Sequence, residues 1–212
     1  TEVTGDTLPK MLVERSTLSA GQTAIREKGH GIWQSWTWRE VADNVRAMAL
    51  GFHQLGLVRG DKVAVVGDNR PHLYWAMTAA QALGGVPVPI YQDSVVEEMA
   101  YILNHAEVRF ALVEDQEQVD KLLAIREDVP IEQIIYDDPR GLRNYTEEFL
   151  QSLDSVQERG RAWHKEKPGF FEAECKKGRG SDVSIMLYTS GTTGRPKGTM
   201  LTAQLRGYVV RN

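Results

Sequence analysis

The sequence predicts an α/β fold: a mostly parallel sheet with flanking helices, preceded by an N-terminal hairpin. Three observations predict it. Short apolar runs alternate with helix-length segments along much of the chain, the order that builds parallel sheets through right-handed crossovers. The run in "DKVAVVG" is nearly continuous in apolar residues, as in a strand covered on both faces. Lys28-Gly29-His30-Gly31 separates "TAIRE" from "IWQSWTW", two runs with β-formers, and reads as a hairpin turn.

The elements follow in order. Thr37 with Glu40 three residues on is a capping box, so a helix begins there. Val41, Val45, Met48, Ala49, Phe52 and Leu55 recur at spacings of three and four and mark one buried face that ends before Gly56. After the strand in "DKVAVVG", "NRPHLYWAMTAAQALGG" reads as a buried helix with proline near its start and glycine past its end. Strand "VPVPI", a helix capped by Ser94 with Glu97, strand "VRFALVE", a helix around 119–125 and strand "EQIIYD" continue the alternation. From 157 to 181, "QERGRAWHKEKPGFFEAECKKGRGS" mixes charge with proline and glycine and reads as a surface connection. "DVSIMLY" then restores an apolar strand, and "GTMLT" is a second one, so the segment between them is a loop joining strands. The expected organisation is an α/β part over 1–156, the connection 157–181, and a strand, loop and following segment over 182–212. No internal repeat indicates a solenoid or propeller.

Composition narrows the function classes. A chain of 212 residues suits one large domain or two small ones, and 42% hydrophobic with 25% charged residues is an ordinary soluble balance. A net charge of -4 supplies no broad positive field, so neither nucleic acid nor anionic lipid is a favoured partner. The longest weakly polar run, "WAMTAAQALGGVPVPIY", is broken by Gln81, glycines and prolines and makes no transmembrane helix. The first residues lack a basic-then-apolar leader pattern. Cys175 is the only cysteine, which excludes an intrachain disulfide. A reducing compartment follows, and the expected location is cytoplasmic, with peripheral membrane association left open.

Several residues weigh as ordinary structure. His30, His53, His72, His105 and His164 show no metal-ligand spacing. Cys175 with His164 receives no catalytic role, and Trp33, Trp36 and Trp38 read as strand packing. "KKGRG" reads as a flexible linker. Asp68-Asn69-Arg70 stands where a strand ends and a helix begins, a common ligand position, with helix capping by Asn69 as the simpler account.

"YTSGTTGRPKG" carries the chemistry. Gly191, Gly194 and Gly198 let the backbone bring its amides close to an anion, Thr189, Ser190, Thr192 and Thr193 add hydroxyls, and Lys197 brings a mobile positive charge. Pro196 stiffens the segment beside that lysine. A Walker A loop needs glycine before its lysine and serine or threonine after it; here those positions are Pro196 and Gly198. A strand-loop-strand setting also lacks a helix N-terminus to receive phosphate, so a different nucleotide loop is indicated.

This stretch resembles the phosphate-binding signature of the adenylate-forming (AMP-binding) superfamily, which includes acyl-CoA synthetases, peptide-synthetase adenylation domains and beetle luciferases. The resemblance extends through "WTWREVADNVRAMALGFHQLGLVRGDKVAVVGDNRPHLYWAMTAAQALGGVPVPIY", and "GDNRPHLYWAMTAAQALGGVPVPIYQDSVVEEMAYILNHAEVRFALVED" is most similar to long-chain fatty acyl-CoA synthetases. It implies part of that family's N-terminal domain and an ATP-dependent ligase that makes an acyl-adenylate and passes the acyl group to CoA. It further implies that Ser190, Gly191, Thr192, Thr193, Gly194 and Lys197 position ATP phosphates, with Thr189 a hydroxyl on the Mg2+ side. The substrates implied are a fatty acid, ATP and CoA.

The family's aromatic-Gly-x-Thr-Glu motif, ribose aspartate, hinge and catalytic lysine have no counterpart after Gly198, so no catalytic residue is assigned. The expectation is an N-terminal fragment, inactive alone and prone to self-association through open strand edges. Two alternatives stand beside it: an adenylating enzyme for a short-chain, aromatic or amino acid, and a noncatalytic module that binds nucleotide or a partner protein. Ala203, where many relatives carry histidine, is the clearest departure from the family pattern.

Overall fold

The computed structural model describes residues 3–29, 31–189 and 196–205. Helix α1 (Leu8–Leu18) comes first; it buries only Pro9 and Leu12, too few residues to mark a face in the sequence. Strands β1 (Thr23–Gly29) and β2 (Ile32–Thr37) then pair antiparallel as the expected hairpin. Gly31 turns at φ +82°, a conformation that favours glycine, while His30 lies outside the described residues. The three nearby tryptophans part company. Trp36 stands edge-on to Trp75 at 5.4 Å, Trp38 packs on the core, and Trp33 is exposed.

The capping box forms as the sequence requires. Thr37 accepts from the Glu40 amide, and Glu40 Oε2 accepts from the Thr37 amide at 2.7 Å. They open α2 (Trp38–Gln54), whose Val41, Val45, Met48, Ala49 and Phe52 are buried.

Five parallel strands form the body: β3 (Lys62–Val66), β4 (Val86–Ile90), β5 (Val108–Val113), β6 (Gln133–Tyr136) and β7 (Leu150–Ser152), in the order β4-β3-β5-β6-β7. The chain leaves β3 through α3 (Pro71–Ala82) on one face, then returns past β3 to β5 through α4 (Val96–His105) on the other. Helix α5 (Gln116–Ala124) joins β5 to β6 on the α4 side. This is a doubly wound sheet whose direction switches between β3 and β5. Strand alternation divides the side chains: Val63, Val65, Phe110, Leu112 and Ile135 join the α2–α3 core, while Ala64, Val66, Ala111, Val113 and Ile134 join the α4–α5 core.

Two local expectations need correction. Ser94 does not cap α4; Val95 is the N-cap, and Ser94 is buried in a turn with its amide on the Tyr91 carbonyl at 3.0 Å. Most of 157–181 is helical rather than a surface connection. Helix α6 (Leu153–Glu166) is capped by Ser152, whose hydroxyl accepts from the Ser155 amide, and α7 (Phe170–Lys177) buries Phe171 and Cys175. Gly160 does not break α6. A Cβ there would lie 1.9 Å from the Ala47 carbonyl oxygen, and one at Gly51 would lie 2.2 Å from that of Val156. The two glycines let α2 and α6 touch main chain to main chain.

"KKGRG" is not a flexible tether either. Lys176 and Lys177 end α7, and the Gly180 amide donates to Asp6 at 2.8 Å. Strands β8 (Val183–Thr189) and β9 (Lys197–Thr202) form a separate antiparallel pair, with β8 running beside β4. Among the described residues no helix is long and apolar enough to cross a membrane.

Candidate functional site

The β8–β9 pair defines the geometry. Its last two register pairs are Tyr188 with Gly198 and Thr189 with Lys197. Directly opposed residues of an antiparallel pair send their side chains from the same face, so the Thr189 and Lys197 side chains leave one face of the ribbon where the strands end. Both residues are exposed and open to a ligand. Ser190, Gly191, Thr192, Thr193 and Gly194, the rest of the phosphate site expected from the sequence, lie outside the described residues.

A cleft of about 270 Å³ opens beside Thr189, lined among others by Gly67, Asp68, Asn69, Tyr74 and Tyr91. It sits past the carboxyl ends of β3 and β4, the edge at which open parallel sheets bind ligands. Asn69 faces it without capping α3. The N-cap is Arg70, with no side-chain cap bond, and Asn69 Oδ1 instead accepts from the Tyr74 hydroxyl at 3.0 Å.

Charges along this edge are mostly paired. Arg70 donates through Nε to Glu114 at 2.5 Å and through Nη1 to Glu27 at 3.0 Å, and Glu114 also accepts from the Asp68 amide at 2.6 Å. The Glu114 bond first, and the Glu27 bond second, raise the guanidinium pKa. Arg70 is committed to the scaffold, whereas Lys197 stands exposed at the hairpin end. His72 Nδ1 meets Asp137 at 2.8 Å, and that hydrogen bond holds the imidazolium above its ordinary range against the opposing effect of burial.

Two side chains absent from the sequence-level site tie β8 to the body. Gln81 Nε2 donates to the Ser184 carbonyl at 2.6 Å and to its hydroxyl at 3.1 Å. His105 Nδ1 lies 2.6 Å from the Tyr188 hydroxyl, across a separation of 83 residues. Separations of this size leave no local pattern by which sequence alone could find them. Cys175, by contrast, is buried in the core and its thiol is pushed up to about 12 by that burial, which removes the thiolate a nucleophile needs. Among the described residues no group of three or more His, Cys, Asp or Glu is arranged to hold a metal ion.

Comparison with known proteins gives the chain's family and fold relatives. A family model described as AMP-binding enzyme matches residues 14–210. The long-chain-fatty-acid–CoA ligase FadD15 of Mycobacterium bovis is 33% identical over 178 residues, covering 81% of this chain and 27% of that protein. The long-chain-fatty-acid–CoA ligase ACSBG2 of Homo sapiens is 30% identical over 201 residues, covering 92% of this chain and 29% of that one. In fold, the anthranilate CoA ligase AuaEII, solved in complex with anthranoyl-AMP, matches with a TM-score of 0.77 at 20% identity, over 96% of this chain and 36% of that one. The chain therefore spans less than a third of the length of these two curated relatives.

Proposed function

This chain belongs to the AMP-binding enzyme family, and on that premise we propose that it is the N-terminal part of an ATP-dependent ligase that activates a long-chain fatty acid and transfers it to CoA. The observation that carries the reading is the pairing of Thr189 with Lys197 at the end of β8 and β9. It puts a threonine and a lysine on one face of the ribbon end, with Thr189 lining a cleft on the ligand edge of the sheet. The names of the two curated relatives favour a long acyl chain over the short-chain, aromatic and amino acid substrates handled by other adenylating enzymes.

In this reading a carboxylate oxygen attacks the α-phosphorus of ATP and expels pyrophosphate, leaving an acyl-adenylate. The CoA thiol then attacks the acyl carbonyl and expels AMP. Lys197, Thr189 and residues 190–194 hold the β- and γ-phosphates during the first step. Their contribution is positioning and charge stabilisation rather than bond making. Thr189 offers a single neutral oxygen. That suits a magnesium ion carried on the phosphates, which keeps most of its waters and takes few protein ligands.

The test is MgATP binding followed by carboxylate-dependent exchange of labelled pyrophosphate into ATP, with acids from acetate to palmitate and a set of amino acids. The 212-residue chain is expected to bind MgATP without exchange, and a version extended to the length of its relatives to exchange best with long-chain acids. Folded chain that ignores MgATP would end the proposal; exchange restricted to short or amino acids would reassign the substrate.

A further inference from the structure

The sequence assigns His105 no function, and Tyr188 enters only as the first residue of "YTSGTTGRPKG". We infer that these two side chains form the positioning contact for the nucleotide site, fixing the β8–β9 end to α4 so that Thr189 and Lys197 present to phosphate in one place. The inference rests on the phosphate-binding reading above for its ligand, and on geometry for everything else.

A two-stranded ribbon is marginally stable by itself. Among the described residues β8 and β9 hydrogen-bond as strands only to each other, with β8 packed beside β4, so side-chain contacts help settle where their end points. Tyr188 is placed to do that for both strands at once. It immediately precedes Thr189 and lies directly opposite Gly198, the neighbour of Lys197. A Cβ at position 198 would come within 3.1 Å of Cζ and 3.3 Å of the hydroxyl oxygen of Tyr188. The missing side chain of Gly198 is thus the space across which the phenol lies. On the far side the hydroxyl reaches His105 Nδ1 at 2.6 Å, with the two rings edge to face at 5.7 Å. Tyr101, one turn earlier on α4, stacks on the imidazole at 5.6 Å and restrains it. The chain of contacts runs from α4 through His105 and Tyr188 to Gly198, and touches the neighbours of both described site residues.

Four substitutions in the full 212-residue chain test this, read by MgATP and tripolyphosphate titration and by hydrogen exchange at residues 187–189 and 197–199. Tyr188→Phe removes only the hydroxyl, and His105→Phe keeps a ring for Tyr101 while removing the nitrogen. Each should weaken both ligands about three- to tenfold, the range one net hydrogen bond supplies, and speed exchange at both strand ends. His105→Asn restores a polar atom near the Nδ1 position and should recover most of the affinity. Gly198→Ala should displace the phenol and match Tyr188→Phe.

Unchanged affinity in both phenylalanine variants, with only the melting temperature lowered, would show a structural contact and overturn the inference. If the unsubstituted chain binds neither ligand, the phosphate reading has failed. The anchor is then judged by exchange, and unaltered exchange at the two strand ends in Tyr188→Phe overturns it.

Discussion

The crossing of α2 with α6 and the β8–β9 pair are held by different means. At the crossing, Gly51 and Gly160 bring two main chains into contact within a core that includes Val45, Met48, Phe52 and Val156. No residue of β8 is fully buried; Met186 and Tyr188 pack partly buried on the α4–α5 core, and the polar side chains of Gln81 and His105 add links to the rest of the molecule. The first arrangement resists any change of shape or volume. The second leaves exposed groups free to meet a ligand and draws on the scaffold for placement, the usual division between core and binding segments. Damage to one should therefore appear as lost stability, and damage to the other as lost affinity.

The largest effect is expected at the crossing. Gly160→Val forces a branched side chain against the Ala47 carbonyl and should cost about 3 kcal/mol, or a fall of roughly 6–12 °C in melting temperature for a chain of this size. A melting curve that does not move would show that α6 can shift away from α2 without penalty. Next comes Lys197→Ala, which should weaken MgATP about tenfold or more, as for a charge-assisted hydrogen bond, while leaving the melting temperature within a degree or so. Loss of stability without loss of affinity would reverse the roles assigned to the two places.

Gln81→Ala tests the link directly. It should cost about 1 kcal/mol and speed hydrogen exchange along β8 more than along α2 or α6; uniform acceleration across the chain would mean that β8 is part of the same cooperative unit. The smallest effect concerns pH. His72 is raised from its ordinary 6.5 by Asp137, so folding binds its proton more tightly than the unfolded chain does. Its contribution is complete below about pH 6.5 and is lost as pH rises through the higher folded value. The side chain is 41% exposed, which limits the contribution to about 1 kcal/mol or less. Stability measured across that window should flatten in His72→Gln, and an identical slope in the variant would remove His72 from the account.

Legibility followed the range of the interactions. The capping box of Thr37 and Glu40 and the apolar face of α2 are local, and both could be read before any coordinates. Leu153, Val156, Gly160 and Trp163 also recur at helical spacing, but a glycine stands where an apolar residue would confirm the face, and the charges around it look like a linker. Only the position of Ala47 shows that Gly160 is a packing residue. Ser152 was the available local clue, since its hydroxyl caps α6 as its position before Leu153 would suggest. Ser94 carried the same clue falsely, because the turn through Tyr91 moves the helix start one residue on. At the candidate site, the expected loop is a continuous run of residues, of which the structure describes Thr189, Lys197 and Gly198. Asn69 stood at a strand-to-helix junction that reads as a ligand position, but Gln81 and His105 were not legible, since each meets its β8 partner through the fold of the sheet.

The register of β8 and β9 has a thermodynamic consequence. An antiparallel pair keeps opposed Cα atoms roughly 4.5–5.5 Å apart, so Thr189 and Lys197 are already neighbours before a ligand arrives. Bringing two such groups together from a freely moving chain would carry a closure entropy that any incoming ligand had to overcome. Here that entropy is lost once, when the strands pair. Association then has only the ligand's own freedom and the lysine rotamers left to restrict, so more of the interaction with the proposed phosphate ligand is available as affinity.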